Sequence, residues 1–458
     1  MRYLTPQIIA EITGGDYFGS ENALNTRVTG AVRDNRDVKP GNMFVCIRGA
    51  RVDGHSFANN AFESGASCCL SEQAIPDAKG PYIVVDSSLE AVKKVARYHR
   101  NLFQIPVIGI TGSVGKTTTK EMVAAALSEK YKVLKTLYNM NNELGVSLML
   151  LSIDESHEVV VIEMGISDFG EMSRLAEMVR PDICVMTAIG YSHIETLGDL
   201  NGVLKAKSEV FAYMAPDSYA IFNGDDELLR AFEPGLRKLT FGLGGFNDFY
   251  AESILPEGIS GVVFDVVSSA GRFTASIPSY GSHLVPAALA ASAVGRLLGL
   301  SDEDIKKGLS RYAPINGRAN VIETGYITLI DDCYNANPGS VAAALTSLSL
   351  LNKRRVAILG DMLELGAISE QKHRDVGALA AKLGIDNLIC CGIMAAYIYE
   401  GYRSSGGLLS CFFSDKDKMI ASLPEIIKKD DAVLVKASHS MKFEEILPHL
   451  HGIKPDKS

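Results

Sequence analysis

No surplus of positive charge runs through this sequence: 45 Lys and Arg stand against 54 Asp and Glu, a formal net charge of −9. A chain that coats nucleic acid needs the opposite balance. No nucleic-acid partner is therefore expected, and small anions must be met in local cationic pockets. Nor is there a long apolar run. The longest uncharged stretch, Phe273 to Gly295, is broken by Pro278, Gly281, His283 and Pro286. It is a poor membrane span, so no membrane insertion is expected. The first residues, MRYLTPQIIA, lack a basic segment followed by an apolar one, so no secretory leader is expected. No C-x-x-C spacing occurs among the eight cysteines, and two adjacent pairs, Cys68–Cys69 and Cys390–Cys391, sit in apolar segments. Buried, reduced thiols in a cytoplasmic protein fit that usage. His449 and His451 form an H-x-H pair. It could chelate a metal in an extended segment, or be two solvated histidines. Internal repeats and low-complexity tracts are also missing.

What is there is ample apolar material, 47% of 458 residues, enough for about three domains. The most informative stretch is Val107–Thr119, VIGITGSVGKTTT, followed by the helical run KEMVAAALSEK. Strand, glycine turn and helix together make a phosphate cradle. Gly112 and Gly115, with Ser113 and Val114 between them, let backbone N–H groups face an anion. Lys116 suits the β/γ-phosphates, and Thr117, followed by Thr118, suits Mg²⁺. The spacing is T-G-x-x-G-K-T-T, since position 110 is Ile.

The first hundred residues read as a small α/β unit. Runs MFVCIRG, SCCLSE and PYIVVDS alternate with helical SFANNAFESGA and SLEAVKKVARYHRNLF. From Pro106 onward, strands EVVVIEMG, DICVMTAIG and SYAIFNG alternate with helices in the manner of a parallel sheet. Segment 241–277 alternates apolar residues between glycines and predicts an antiparallel patch. Pro314, Asn316 and Gly317 mark a boundary. Beyond it YITLIDD, RRVAILGD, NLICCG and DAVLVKA predict a second doubly wound domain. The expected division is 1–103, 104–313 and 314–458.

Further polar clusters follow strand ends. Glu163 closes EVVVIEM. It is either a solvated strand end or a Mg²⁺ ligand, and the phosphate cradle upstream favours the ligand. His193 follows another strand and could simply cap a turn. Lys207 lies on a helix, where a lone lysine is ordinarily a surface charge. Asn139, Asn141 and Asn142 offer amides to a polar substrate or make an Asn-rich turn. Asp332 in IDDCYNANPGS suits a ribose hydroxyl or an ordinary capping loop before Pro338. Asp361 and Glu364 in LGDMLELG could hold an amine or cap a helix.

Taken in order, DNRDVKPGNMFVCIRG, GITGSVGKTTTKE, NMNNELGVS, VIEMG, IGYSHIETLG, AKSE, NGR, DDCYNANP, LGDMLELG and LVKASHSMKFEE resemble the Mur ligase family along nearly the whole chain. Within it, YNANP and LGDMxELG are most similar to the branch that adds D-alanyl-D-alanine. The chain departs from the family pattern at Asn35, Ser147, Leu284 and His439.

The resemblance implies an α/β, three-domain architecture. Its parts are a first domain for the UDP-sugar end of the substrate, a central P-loop ATPase on a parallel sheet, and a Rossmann-like C-terminal domain. It implies an ATP-dependent ligase that joins UDP-N-acetylmuramoyl-tripeptide to D-alanyl-D-alanine through an acyl phosphate. That is a cytoplasmic step of peptidoglycan precursor synthesis, tied to cell-wall biogenesis, cell shape and division. Another Mur or folylpolyglutamate-type ligase, or a non-catalytic nucleotide-binding relative, is the alternative. Carried onto this sequence, Lys116 and the loop from Gly112 to Thr118 hold ATP phosphates, and Thr117 and Glu163 hold Mg²⁺. His193 and a carbamylated Lys207 hold a second ion. His283, Arg318 and Asp332 contact the nucleotide. Asp34 and Arg36, with the Asp53–His55 segment, belong to the UDP-sugar end. Asn139, Asn141, Asn142, Tyr334, Asn335 and Asn337 line the reacting centre. The resemblance also implies a monomer.

Overall fold

The computed structural model describes residues 4–49 and 52–453 and contains three sheets. The first holds β1 (Asp16–Phe18), β2 (Gly30–Val32), β3 (Asn42–Val45), β4 (Cys68–Ser71) and β5 (Tyr82–Val84), in the order β1-β5-β4-β3-β2. Only β1 runs antiparallel to its neighbour.

The second sheet is the framework of the molecule. It comprises β6 (Val107–Thr111), β7 (Val133–Lys135), β8 (Val159–Glu163), β9 (Ile183–Met186), β10 (Tyr219–Asn223), β11 (Arg237–Gly242), β12 (Phe249–Pro256), β13 (Val262–Ser268) and β14 (Gly271–Ile277). Their order is β14-β13-β12-β11-β10-β9-β6-β8-β7. The connections change direction around β6, which opens a crevice at the carboxyl ends of the strands. Every residue of β6 and β8 is buried. Both strands are continuous apolar runs because helices cover the sheet on each face. The antiparallel patch expected over 241–277 is present as β12–β14, and it extends the parallel sheet through the β11–β12 pairing.

The third sheet joins β15 (Asn320–Glu323), β16 (Thr328–Asp331), β17 (Arg355–Gly360), β18 (Asn387–Cys391), β19 (Leu409–Phe413) and β20 (Ala432–Lys436). Its order is β15-β16-β20-β17-β18-β19, parallel except for β15.

Packing fixes the helix after the phosphate loop. Lys116–Leu127 is covered by the alanine-rich helix Val285–Leu297 and by Asp302–Ser310. The second contact is close enough to need Gly308, since a Cβ there would sit 2.4 Å from Ala126 Cα. A helix held this tightly cannot tilt, so its N-terminus points at a fixed place. All eight cysteines are free thiols, seven of them buried. His449 and His451 fall on the helix Leu447–His451 rather than an extended segment. Two residues apart on a helix they face different directions, so the H-x-H chelate is not formed. No helix among the described residues is long and apolar enough to cross a membrane.

Candidate active site

The strand β6 delivers the chain into a loop whose shape is set by sterics. Gly112 has φ +141, and a Cβ there would lie 2.1 Å from Thr187 Oγ1. No other residue fits. Thr187 Oγ1 in turn donates to the carbonyls of Thr111 and Val114. Gly115, at φ +80, caps the helix that begins with Lys116. The free N–H groups of that first turn and the helix dipole make an anion seat. Lys116 Nζ donates to Gly112 O across the loop at 2.7 Å. Desolvation, with Arg318 nearby, pulls its ammonium below the usual lysine range, and Glu163 opposes this.

Glu163 ends β8 and is 2% exposed. Its Oε1 accepts from Asn141 Nδ2 at 2.9 Å, while Oε2 is buried with no hydrogen-bond partner. Lys120 Nζ, also buried, stands 4.0 Å from Oε2 and is occupied by Thr136 O and Glu121. A buried carboxylate oxygen without a donor is costly unless something cationic meets it. Thr117, 4% exposed, lines the same cavity. A hydroxyl and an orphaned carboxylate are the oxygen donors that Mg²⁺ takes. Among the described residues no group of three or more His, Cys, Asp or Glu converges on one point.

Lys207 is the residue the sequence misrepresents. It is 1% exposed, not a surface charge. Burial, reinforced by Lys116, holds its ammonium well below the ordinary lysine range, with Glu171 pulling the other way. Burial favours the unprotonated amine, which is the nucleophilic form. His193 sits in the left-handed region at φ 56, and its Nδ1 lies 2.7 Å from Glu364 Oε2 of the third unit.

The third unit closes the other wall. Arg318 lies over the Tyr334 ring at 4.1 Å, and Tyr334 packs on His439 with centroids 5.3 Å apart. Asp331 accepts from Gly317 N–H at 2.8 Å, which anchors the turn carrying Arg318. Asp332 accepts from Ala319 N–H and from Lys436 Nζ at 2.6 Å. Lys436, 3% exposed, was not singled out by sequence reasoning as a site residue. Its signal was there, a lysine ending a wholly apolar strand.

Ser113 to Thr118, Asn141, Asn142, Glu163, His193, His283, Arg318, Asp332, Tyr334, Asn335 and Asn337 all line one cavity of about 750 Å³. Several of them also have local structural work. Asn142 and Asn337 cap helices through Gly145 and Ser340, and Asn335 Oδ1 accepts from Ala336 N–H. His283 Nδ1 is bonded to Ser347 Oγ at 2.8 Å. Asn139 is exposed and outside the cavity lining. Asp34 and Arg36 pair with each other at 2.5 Å on the first unit, also outside it. His55 is buried, bonded to Asp53 and accepting from Glu72 N–H. Of the two roles open to Asp361, the structure shows the helix cap. Asp361 is buried and accepts from the Ile393 and Ala395 N–H groups at the head of the helix Ala395–Ser404.

Residues 27–100, 110–295 and 317–439 match, in turn, the Mur ligase family catalytic domain, the Mur ligase middle domain and the Mur ligase glutamate ligase domain. A UDP-N-acetylmuramoyl-tripeptide–D-alanyl-D-alanine ligase of Bacillus subtilis is 34% identical over 97% of this chain and 98% of its own. The chain belongs to the Mur ligase family. Among solved Mur ligases, MurF from Acinetobacter baumannii superposes with a TM-score of 0.89 at 30% identity, covering 98% of both chains. MurF ligase from Thermotoga maritima, solved in complex with ADP, gives 0.82 at 28% identity over 94% of this chain and 98% of that one. In this Mur ligase the phosphate loop and the wall of the third unit face each other across one cavity.

Proposed function

We propose that this chain is an ATP-dependent amide ligase that joins D-alanyl-D-alanine to UDP-N-acetylmuramoyl-tripeptide in the cytoplasm. The observation that carries this is the single cavity in which a phosphate seat on the central unit meets Arg318, Asp332 and Lys436 of the third. The near-full-length similarity to D-alanyl-D-alanine-adding ligases, rather than to single domains, speaks for the substrate pair.

The carboxylate ending the tripeptide attacks the γ-phosphorus of ATP, and ADP leaves. The amine of D-alanyl-D-alanine then attacks the acyl carbon, the amide bond forms, and phosphate departs with the carboxylate oxygen. The first step brings two anions together, so the protein's main task is to position and neutralise. Lys116 and the helix N-terminus take the phosphate charge. Thr117 and Glu163 would hold Mg²⁺, whose charge screens the phosphates when bound. Arg318 and Asp332 would contact phosphate and ribose, with Arg318 kept flat by Tyr334. Buried Lys207, in its amine form, can add carbon dioxide and release a proton to become a carbamate, an anion in place of the ammonium cation. With His193 that anion would hold a second ion. Asp34 and Arg36 would serve the UDP-sugar end from outside the cavity.

A substrate panel tests the proposal. Phosphate release should require ATP, UDP-N-acetylmuramoyl-tripeptide and D-alanyl-D-alanine together. Release with folate and glutamate instead would reassign the substrate, and ATP binding without coupled release would favour a non-catalytic relative.

A further inference from the structure

Residues 188–197 form a strap between the phosphate loop and the third unit. On its inner side, Ser113 N–H donates to Ala188 O at 2.8 Å. Ser113 Oγ and Gly190 exchange two hydrogen bonds, and Ser192 Oγ donates to Ser113 O at 3.3 Å. On its outer side the third unit grips successive residues. Lys372 lies 4.6 Å from the Tyr191 ring centre, Asn337 Nδ2 donates to Ser192 Oγ at 3.1 Å, and Glu195 N–H points to Glu364 O at 3.4 Å. Between them Glu364 Oε2 meets His193 Nδ1 at 2.7 Å.

Two features make this last contact unlike an ordinary surface pair. Both partners hold left-handed backbone, His193 at φ 56 and Glu364 at φ 63, although neither is glycine. Such conformations persist only where the surroundings enforce them, and they gather at functional contacts. The pair is also half-exposed, with side chains 32% and 58% accessible, so it contributes little to stability. A carboxylate on Nδ1 fixes the imidazole tautomer and leaves Nε2 as the nitrogen with a lone pair.

We propose that Glu364 is a positioning residue. When the third unit seats on the strap, its carboxylate accepts the Nδ1 proton of His193 and locks the ring, so that Nε2 serves the cavity His193 lines. Seating of the third unit is thereby read directly at the phosphate loop. This rests on the ligase reading above.

The test compares wild type, Glu364→Ala and Glu364→Gln in the full-length protein. Glu364→Ala should lower kcat about 10–100-fold, with melting temperature and ADP affinity kept. Glu364→Gln, whose amide oxygen still accepts from Nδ1, should keep most of the activity. Nitrogen-15 imidazole spectra, assigned with His193→Gln, should show the Nδ1–H form in wild type and Glu364→Gln and its loss in Glu364→Ala. Wild-type kcat in Glu364→Ala, equal damage in both variants, or an unchanged tautomer would overturn the inference. Failure of the ligase reading looks different: wild type itself would release no coupled phosphate, while the spectra would still report the contact.

Discussion

The two units that wall the cavity handle charge in opposite ways. On the third unit, Asp332 is paired with Lys436 and Asp361 is satisfied by two N–H groups. On the central unit, Glu163 keeps a buried oxygen without a donor, and Lys207 is buried, with desolvation and Lys116 working against its charge and Glu171 working for it. Polar groups that satisfy one another hold shape. Polar groups buried without full compensation are held in place by the surrounding fold and are ready for a ligand to complete. The third unit is accordingly a pre-assembled surface that orients, and the central unit is where charge is handled during reaction.

The largest effect should come from the central wall. Lys116→Ala should lower turnover on the order of 10²-fold or more with the thermal melt unchanged, measured as coupled phosphate release. Near-normal turnover would mean that the unsatisfied wall is not the chemical one. Lys207→Ala should also cut activity on the order of 10²-fold. Short carboxylic acids should restore part of it by supplying the missing anion. An unrescued variant with normal stability would argue against a carbamate at Lys207, and full activity without additive would remove it from the mechanism.

Changes to the third wall should read as stability first. Lys436→Met strands Asp332 without its partner and should cost about 3 kcal/mol in denaturant unfolding, with weaker nucleotide binding as a consequence. Asp361→Ala removes the acceptor of the Ile393 and Ala395 N–H groups, the second of them buried, and should cost about 1–3 kcal/mol. Activity per folded molecule should hardly change. If Asp361→Ala instead abolished turnover while folding normally, the division between the two walls would fail.

The same contrast separates what the sequence disclosed from what it hid. The phosphate seat was legible because its function lies in contiguous backbone: strand, glycines, Lys116 and Thr117 occur in one run. The buried strands β6, β8, β17 and β20 were legible as continuous apolar runs. Short or half-exposed strands such as β2, β7 and β19 were not, because their burial depends on neighbours distant in the chain. Lys207 was invisible for a related reason. Nothing local distinguishes a lysine on an exposed helix from one that tertiary packing has sealed. Family resemblance pointed to it, and burial supplies the physical reason. LGDMLELG was ambiguous between amine site and helix cap. The structure divides it, with Asp361 holding a helix head and Glu364 reaching His193 of the central unit.

Oxygen tracing tests the central claim most directly. Tripeptide substrate labelled with oxygen-18 in its terminal carboxylate is turned over with unlabelled ATP and D-alanyl-D-alanine. If the carboxylate is phosphorylated in this cavity, the released phosphate carries one labelled oxygen. Unlabelled phosphate, formed while the amide product accumulates, would contradict an acyl phosphate and with it the account of how the two walls divide their work.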